Sequence, residues 1–196
     1  LVNLEYSLKR ELLATNRTGG YCNTTIVGCN TRKYHGLFAV PIDRFDGHRY
    51  MLLSSLDETL LQHGMPFNLG IHCYGDIYAP RGHKYIVDFE MDPFPVITYR
   101  VGGMLFKKEI LFAVGSDQLM IRYTLLDAHS HTLLRLKPYL AFRSTHELTV
   151  ANGDADTHYQ PEECGASFCL YKDFPRLHLQ VSKPCEYVHV PDWYRN

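Results

Sequence analysis

Ile97-Thr98-Tyr99-Arg100-Val101, Gly102-Gly103-Met104 and Leu105-Phe106-Lys107-Lys108-Glu109-Ile110-Leu111 form the stretch that decides the fold class. Two runs rich in β-branched and aromatic residues flank a Gly-Gly pair, the pattern of a β-hairpin with a tight turn. Outward from it, Gln118 to Leu126 and Thr132 to Phe142 read as two further long strands, with Asp127-Ala128-His129-Ser130 turning between them. Leu134-Arg135-Leu136-Lys137 alternates, which implies one buried and one wetter face. Short strands are expected near Ser167–Tyr171, Leu177–Val181 and Glu186–Val190, punctuated by Pro175, Pro184 and Pro191. Asn152-Gly153-Asp154-Ala155-Asp156 reads as a polar surface loop. Helix is scarce: Leu4 to Leu13 fits a turn or two of helix or a strand, and Leu56 to His63 is ambiguous. The expectation is one all-β domain over residues 1–196, built from two packed antiparallel sheets.

Composition narrows the function classes. The 196 residues carry a net charge of −1 and 45% hydrophobic residues, so there is no electrostatic footprint for nucleic acid or an anionic membrane. No apolar run approaches membrane-spanning length, and Leu1–Leu13 carries Glu5, Lys9, Arg10 and Glu11, which excludes a signal-peptide core. The opening Leu1, with no initiator methionine, reads as a trimmed start or as one from which a disordered stretch is omitted. Six cysteines (Cys22, Cys29, Cys73, Cys164, Cys169 and Cys185) form no CxxC pair, which favours reduced thiols in a cytoplasmic protein. Asn16-Arg17-Thr18 and Asn23-Thr24-Thr25 match the glycosylation sequon, and without a secretory signal they read as chance.

Catalytic chemistry finds little support. Glycoside hydrolysis needs two carboxylates about 5–9.5 Å apart. Asp57 and Glu58 point to opposite faces if extended, Glu90 and Asp92 sit beside Pro93 and Pro95, and Glu162 with Glu163 looks like loop charge. Eleven histidines form neither HExxH nor a ligand-spaced triad, so no metal is expected, and no glycine-rich phosphate loop occurs. No cofactor is expected either. A Cys22 or Cys29 nucleophile with His35 rests on sequence proximity alone.

Binding chemistry is better represented. Thr15-Asn16-Arg17-Thr18-Gly19-Gly20-Tyr21 and Asn30-Thr31-Arg32-Lys33-Tyr34-His35-Gly36-Leu37 gather amides, arginines, tyrosines and glycines near the N-terminus. Such a set suits a neutral, hydroxyl-rich ligand, with fixed donors, flat rings and close backbone approach. If the second segment is extended, Asn30, Arg32 and Tyr34 share a face and His35 falls on the other. Arg143 and His146 follow the apolar run Tyr139-Leu140-Ala141-Phe142, at a sheet rim where polar side chains meet a neighbour or ligand. The bland alternative pairs Arg143 with Asp57 or Glu147.

These pieces, with Ser54-Ser55-Leu56-Asp57-Glu58-Thr59, Lys107-Lys108-Glu109, Pro138, Arg143-Ser144-Thr145-His146 and Trp193-Tyr194-Arg195-Asn196, resemble the N-terminal domain of the bacterial and archaeal type of glycogen debranching enzyme. The chain departs from that pattern at Leu12, where Trp is expected, and at Arg17, where Gly is frequent. The resemblance implies a large supersandwich of the galactose-mutarotase-like kind. It implies an (α/α)6 catalytic domain after residue 196, holding the hydrolytic acids. It further implies action on α-1,6 branches of glycogen or limit dextrin as amylo-α-1,6-glucosidase, with glucanotransferase activity often attributed to the wider family. The residues it marks as substrate-binding or domain-interface are Asn16, Tyr21, Asn30, Arg32, Tyr34, His35, Asp57, Arg143, His146 and Trp193. α-Glucan and the (α/α)6 domain are then the expected partners, and this chain alone is expected to be inactive. A stand-alone carbohydrate-binding module and a structural interdomain module are the rival readings.

Overall fold

The computed structural model describes residues 3–193. Asn3 caps a short helix, α1 (Leu4–Leu8), its side chain accepting from the Tyr6 amide at 3.0 Å. Strands β1 (Glu11–Thr15), β2 (Tyr21–Thr25), β3 (Gly36–Ile42) and the long β4 (His48–Gln62) follow. Next come β5 (Met65–Asn68), β6 (His72–Tyr74), β7 (Ile77–Ala79) and β8 (Ile86–Glu90). The chain continues through β9 (Val96–Val101), β10 (Met104–Phe112), β11 (Leu119–Asp127) and β12 (Thr132–Ser144), then β13 (Tyr159–Glu162), β14 (Gly165–Phe168) and β15 (Leu177–Gln180).

The fold is all-β and every pairing is antiparallel. One sheet runs β1-β2-β3-β4-β12 with β5 also on β4, and a second runs β11-β10-β9-β8. The β9–β10 hairpin closes through Gly102 and Gly103 at φ 57° and 79°, with Val101 opposite Met104. Two consecutive positive φ values are what this tight turn requires, and glycine adopts them without strain. β11 and β12 match the two long strands expected from the sequence, but they do not pair. The link between them carries the chain from the second sheet to the first. Leu56 to His63 is settled as strand, lying almost wholly within β4. Leu4 to Leu13 divides into α1 and the start of β1. Glu186–Val190 is not a strand; the segment is exposed from end to end and makes no ladder.

Apolar residues from both sheets meet in two clusters. Leu12, Cys22, Phe38 and Leu53 face Ile110 and Phe112 in one, and Leu60 faces Ile97, Tyr99 and Phe106 in the other. A charged pair is buried between them. Lys108 Nζ lies 2.6 Å from Glu58 Oε1, with side chains 9% and 4% exposed, and the Tyr123 hydroxyl donates to the same oxygen at 2.5 Å. Burial and the Glu58 charge push the Tyr123 hydroxyl well above its usual pKa, so it stays a donor.

The backbone is irregular at two places. Arg17 adopts φ 64°, in the left-handed region that favours glycine, at the position where the resemblance expects one. In β12, Leu140 opposes Leu53 and Arg143 opposes Met51, so β12 uses one more residue than β4. Phe142 takes up the excess at φ 47°, buried against Phe174 at 5.7 Å between ring centroids.

None of the six cysteines is joined in a disulfide; Cys22 and Cys29 are buried and Cys185 is exposed. Burial pushes both buried thiols up to about 12. In native buffer Cys185 should react first with a thiol reagent and Cys22 and Cys29 last, and denaturation should expose all six. Fewer than six thiols in protein kept under reductant would contradict this assignment.

Candidate functional site

Thr31 to His35 is a turn rather than a strand, so Asn30, Arg32 and Tyr34 do not line one extended face. The histidine causes this. The Thr31 amide donates to His35 Nδ1 at 3.0 Å and the His35 amide donates to the Arg32 carbonyl at 2.9 Å, folding the segment on itself. His35 is 1% exposed, and its Nε2 lies 3.1 Å from Glu11 Oε1. With Nδ1 accepting, the neutral ring carries its proton on Nε2 and donates it to Glu11, a tautomer assigned from the hydrogen bonds. Burial lowers the His35 pKa against the opposing pull of Glu11. Burial acts to raise the Glu11 pKa, but the contacts with His35 and Arg32 outweigh it and the net shift is downward. Arg32 is paired with Glu11 and half exposed. His35 is therefore the centre of the turn rather than a residue on its far side.

The turn is held against the end of β12. Arg143 Nη2 donates to the Lys33 carbonyl and Nη1 to the Glu147 carbonyl, both at 2.7 Å. Its partners are backbone oxygens, neither the Asp57 nor the Glu147 carboxylate. Lys33 Nζ donates to the His146 carbonyl at 3.1 Å. Tyr34 Oη and His146 Nδ1 are 3.2 Å apart, with the rings edge-on at 5.6 Å. The Tyr21 hydroxyl donates to the Tyr34 carbonyl at 3.1 Å, and burial raises its pKa. The structure thus brings six of the sequence candidates together: Tyr21, Arg32, Tyr34, His35, Arg143 and His146. Tyr34 remains 40% exposed, so the cluster presents a ring and polar edges to solvent.

The other four stand elsewhere. Asn30 anchors the base of the turn, accepting from Thr24 Oγ1 at 2.8 Å and donating to the Ser54 carbonyl at 2.9 Å. Asn16 is 0% exposed and organises its own loop, its Oδ1 accepting from the Thr18 and Gly20 amides at 2.9 and 2.8 Å. Asp57 lies on β4, where His72 Nε2 is 2.9 Å from both carboxylate oxygens. Trp193 lies beyond β15 with its amide on Asp192, and Tyr194 to Asn196 fall outside the described residues.

A second polar patch escaped the sequence reading. The Tyr139 ring lies 5.0 Å from His72, and Lys137 Nζ sits 5.2 Å over the Tyr139 ring. Leu134, Leu140 and Phe142 turn into the core, so Lys137, Tyr139 and Arg143 occupy the opposite face of the same strand. The Leu134–Lys137 alternation already carried that signal; His72 had none.

Four carboxylates have close partners. Asp57 is taken by His72, Glu58 by Lys108 and Tyr123, Glu162 by His178 at 2.6 Å, and Glu11 by the turn. Among the described residues no group of three His, Cys, Asp or Glu side chains is placed to hold a metal. No helix among them is long and apolar enough to cross a membrane. The arrangement can hold hydroxyls and stack a ring. The sequon at Asn16 is buried and fully engaged, which closes it to modification in the folded chain.

No curated protein and no solved structure matches the chain. The family model described as glycogen debranching enzyme N terminal matches residues 10–196, from the start of β1 through both polar patches. With that match over nearly its whole length, the chain belongs to the glycogen debranching enzyme N-terminal family.

Proposed function

We propose that this domain is the substrate-shaping module of an enzyme acting on α-1,6 branches of glycogen or limit dextrin, and that the Tyr34–His146 cluster is where it meets glucan. The observation that carries this reading is the union of two distant segments, 31–35 and 143–147, into one surface with an exposed ring. An exposed tyrosine held edge-on by His146, in a turn that Arg143 ties down at the Lys33 carbonyl, is a rigid platform for a sugar ring. Rigid aromatic area of this kind binds at low entropic cost. The acids that break the bond would lie outside this chain, in an (α/α)6 domain that is the second partner of the face. A cytoplasmic setting fits the scattered free thiols.

Titration with a maltooligosaccharide, followed by amide NMR, tests the reading. Shifts should centre on residues 31–35 and 143–147. Tyr34→Ala should weaken binding about fivefold, roughly 1 kcal/mol of stacking, while changing stability by no more than about 0.5 kcal/mol. Unchanged affinity in Tyr34→Ala would assign the cluster to holding the fold or a neighbouring domain instead.

A further inference from the structure

A cavity of about 250 Å³ lies away from the Tyr34 face and shares no residue with it. Its volume is far beyond the ~10–15 Å³ that one water needs. Its walls come from three elements: Leu4 of α1, Asp76, Ile77 and Tyr78 of the β6–β7 hairpin, and the turn that carries Arg81, His83 and Lys84. That turn, a 3₁₀ helix over Gly82–Tyr85, is pinned from behind. The Gly82 amide donates to the Gly70 carbonyl at 3.0 Å, and a Cβ on Gly82 would come within 2.0 Å of the Leu69 carbonyl oxygen. Only glycine permits so close a backbone approach, and the three basic residues are held in place by it.

The lining is electrostatically unbalanced. Among the described residues neither the Arg81 guanidinium nor the Lys84 ammonium is engaged in an ion pair or hydrogen bond, and Asp76 is the one carboxylate in the wall. His83 is 6% exposed, yet its Nδ1 is buried without a partner. Burial, then Lys84 and Arg81, hold its pKa down, so the ring is neutral. A proton on Nδ1 would be a buried donor with no acceptor, so it sits on Nε2 and gives the imidazole one N–H to offer. Two unpaired cations and a neutral donor are a set for a dianion, and an arginine fork matches phosphate oxygens in pairs. Tyr78 and Ile77 add a flat, apolar wall, while Asp76 can only accept, as a hydroxyl-bearing ligand would require.

We propose that this cavity binds a phosphate monoester of a hexose-sized sugar, with Arg81, His83 and Lys84 on the phosphate and Asp76 on the hydroxyls. A phosphate answers both cations, which a neutral glucan end does not.

Amide NMR of the chain, titrated separately with glucose 6-phosphate, inorganic phosphate and glucose at matched ionic strength, tests the assignment. Glucose 6-phosphate should give saturable shifts at Asp76–Tyr78 and Gly82–Lys84, about tenfold tighter than inorganic phosphate, with glucose silent there. The exposed pair Arg81→Ala/Lys84→Ala should weaken glucose 6-phosphate at least about tenfold without altering the ligand-free melting temperature, and Tyr34→Ala should leave it untouched. The proposal is overturned by an absence of saturable shifts. It is equally overturned by equal affinity for inorganic phosphate, by the same response to glucose, or by unchanged binding in the double variant. None of these results bears on the glucan reading of the other face.

Discussion

Lys108→Met should lower unfolding stability by about 3–5 kcal/mol, because it strands Glu58 as an unpaired carboxylate between the sheets. That is a large share of the ~5–15 kcal/mol that holds a typical domain. Both partners are almost wholly buried and solvent screening is slight. The Tyr123 hydroxyl stays on Glu58 Oε1, but one neutral donor cannot answer a full charge there. The pair need not stabilise the fold relative to apolar residues; its removal by halves is what costs. The double variant Glu58→Gln/Lys108→Met should therefore recover most of the loss. Urea unfolding of wild type, single and double variants decides. A single-variant loss below about 1 kcal/mol would mean that water reaches Glu58 and that the inter-sheet pair is not desolvated.

Asn16→Ala is expected to cost about 1–3 kcal/mol, and to do so without changing the glucan response proposed for residues 31–35 and 143–147 in the molecules that remain folded. Besides the two amides on Oδ1, Nδ2 donates to Asp117 Oδ1 at 2.8 Å and to the Ser116 carbonyl at 3.3 Å. One side chain thus sews the 16–20 loop to the segment after β10. Alanine leaves the buried Gly20 amide without its acceptor, while Thr18, Ser116 and Asp117 are exposed and turn to water. Asn16→Asp should not rescue, since it keeps the acceptor but faces Asp117 with a like charge. If Asn16→Ala instead melts like wild type and loses glucan, Asn16 belongs to the binding surface as the family resemblance implies.

The strands legible in the sequence are those whose register one local feature fixes. Gly102-Gly103 announces its hairpin because the turn needs positive φ at both positions and glycine adopts it without strain. β4 is not legible as a whole, because Asp57 and Glu58 look like surface charge in a one-dimensional string. Both are buried, each paired with a residue distant in sequence, His72 for one and Lys108 for the other. Composition marks the 30–35 segment as special, yet the extended geometry expected of it does not form. Alternation applies only to backbone that bonds a neighbouring strand, and here the His35 side chain supplies the bond instead. Arg143 and His146 are visible because a charged pair directly after an apolar run marks a rim. Tyr78 to Lys84 gives only a weak sign, a run of Arg81-Gly82-His83-Lys84 after Pro80. Leu4 of α1 closes the lining from a part of the chain more than 70 residues away in sequence.

The surplus residue in β12 has a consequence for how this family can vary. Leu140 points into the core, and Arg143, three positions on, points away from it. Strand parity makes that outcome depend on an odd spacing. A one-residue deletion anywhere in 140–142 would change no member of the cluster, yet it would turn the arginine inward and leave Lys33 and Glu147 without their shared donor. The Tyr34 face is thus encoded partly as a length, and related chains that keep Arg and His but lose the surplus residue would carry the motif without the surface.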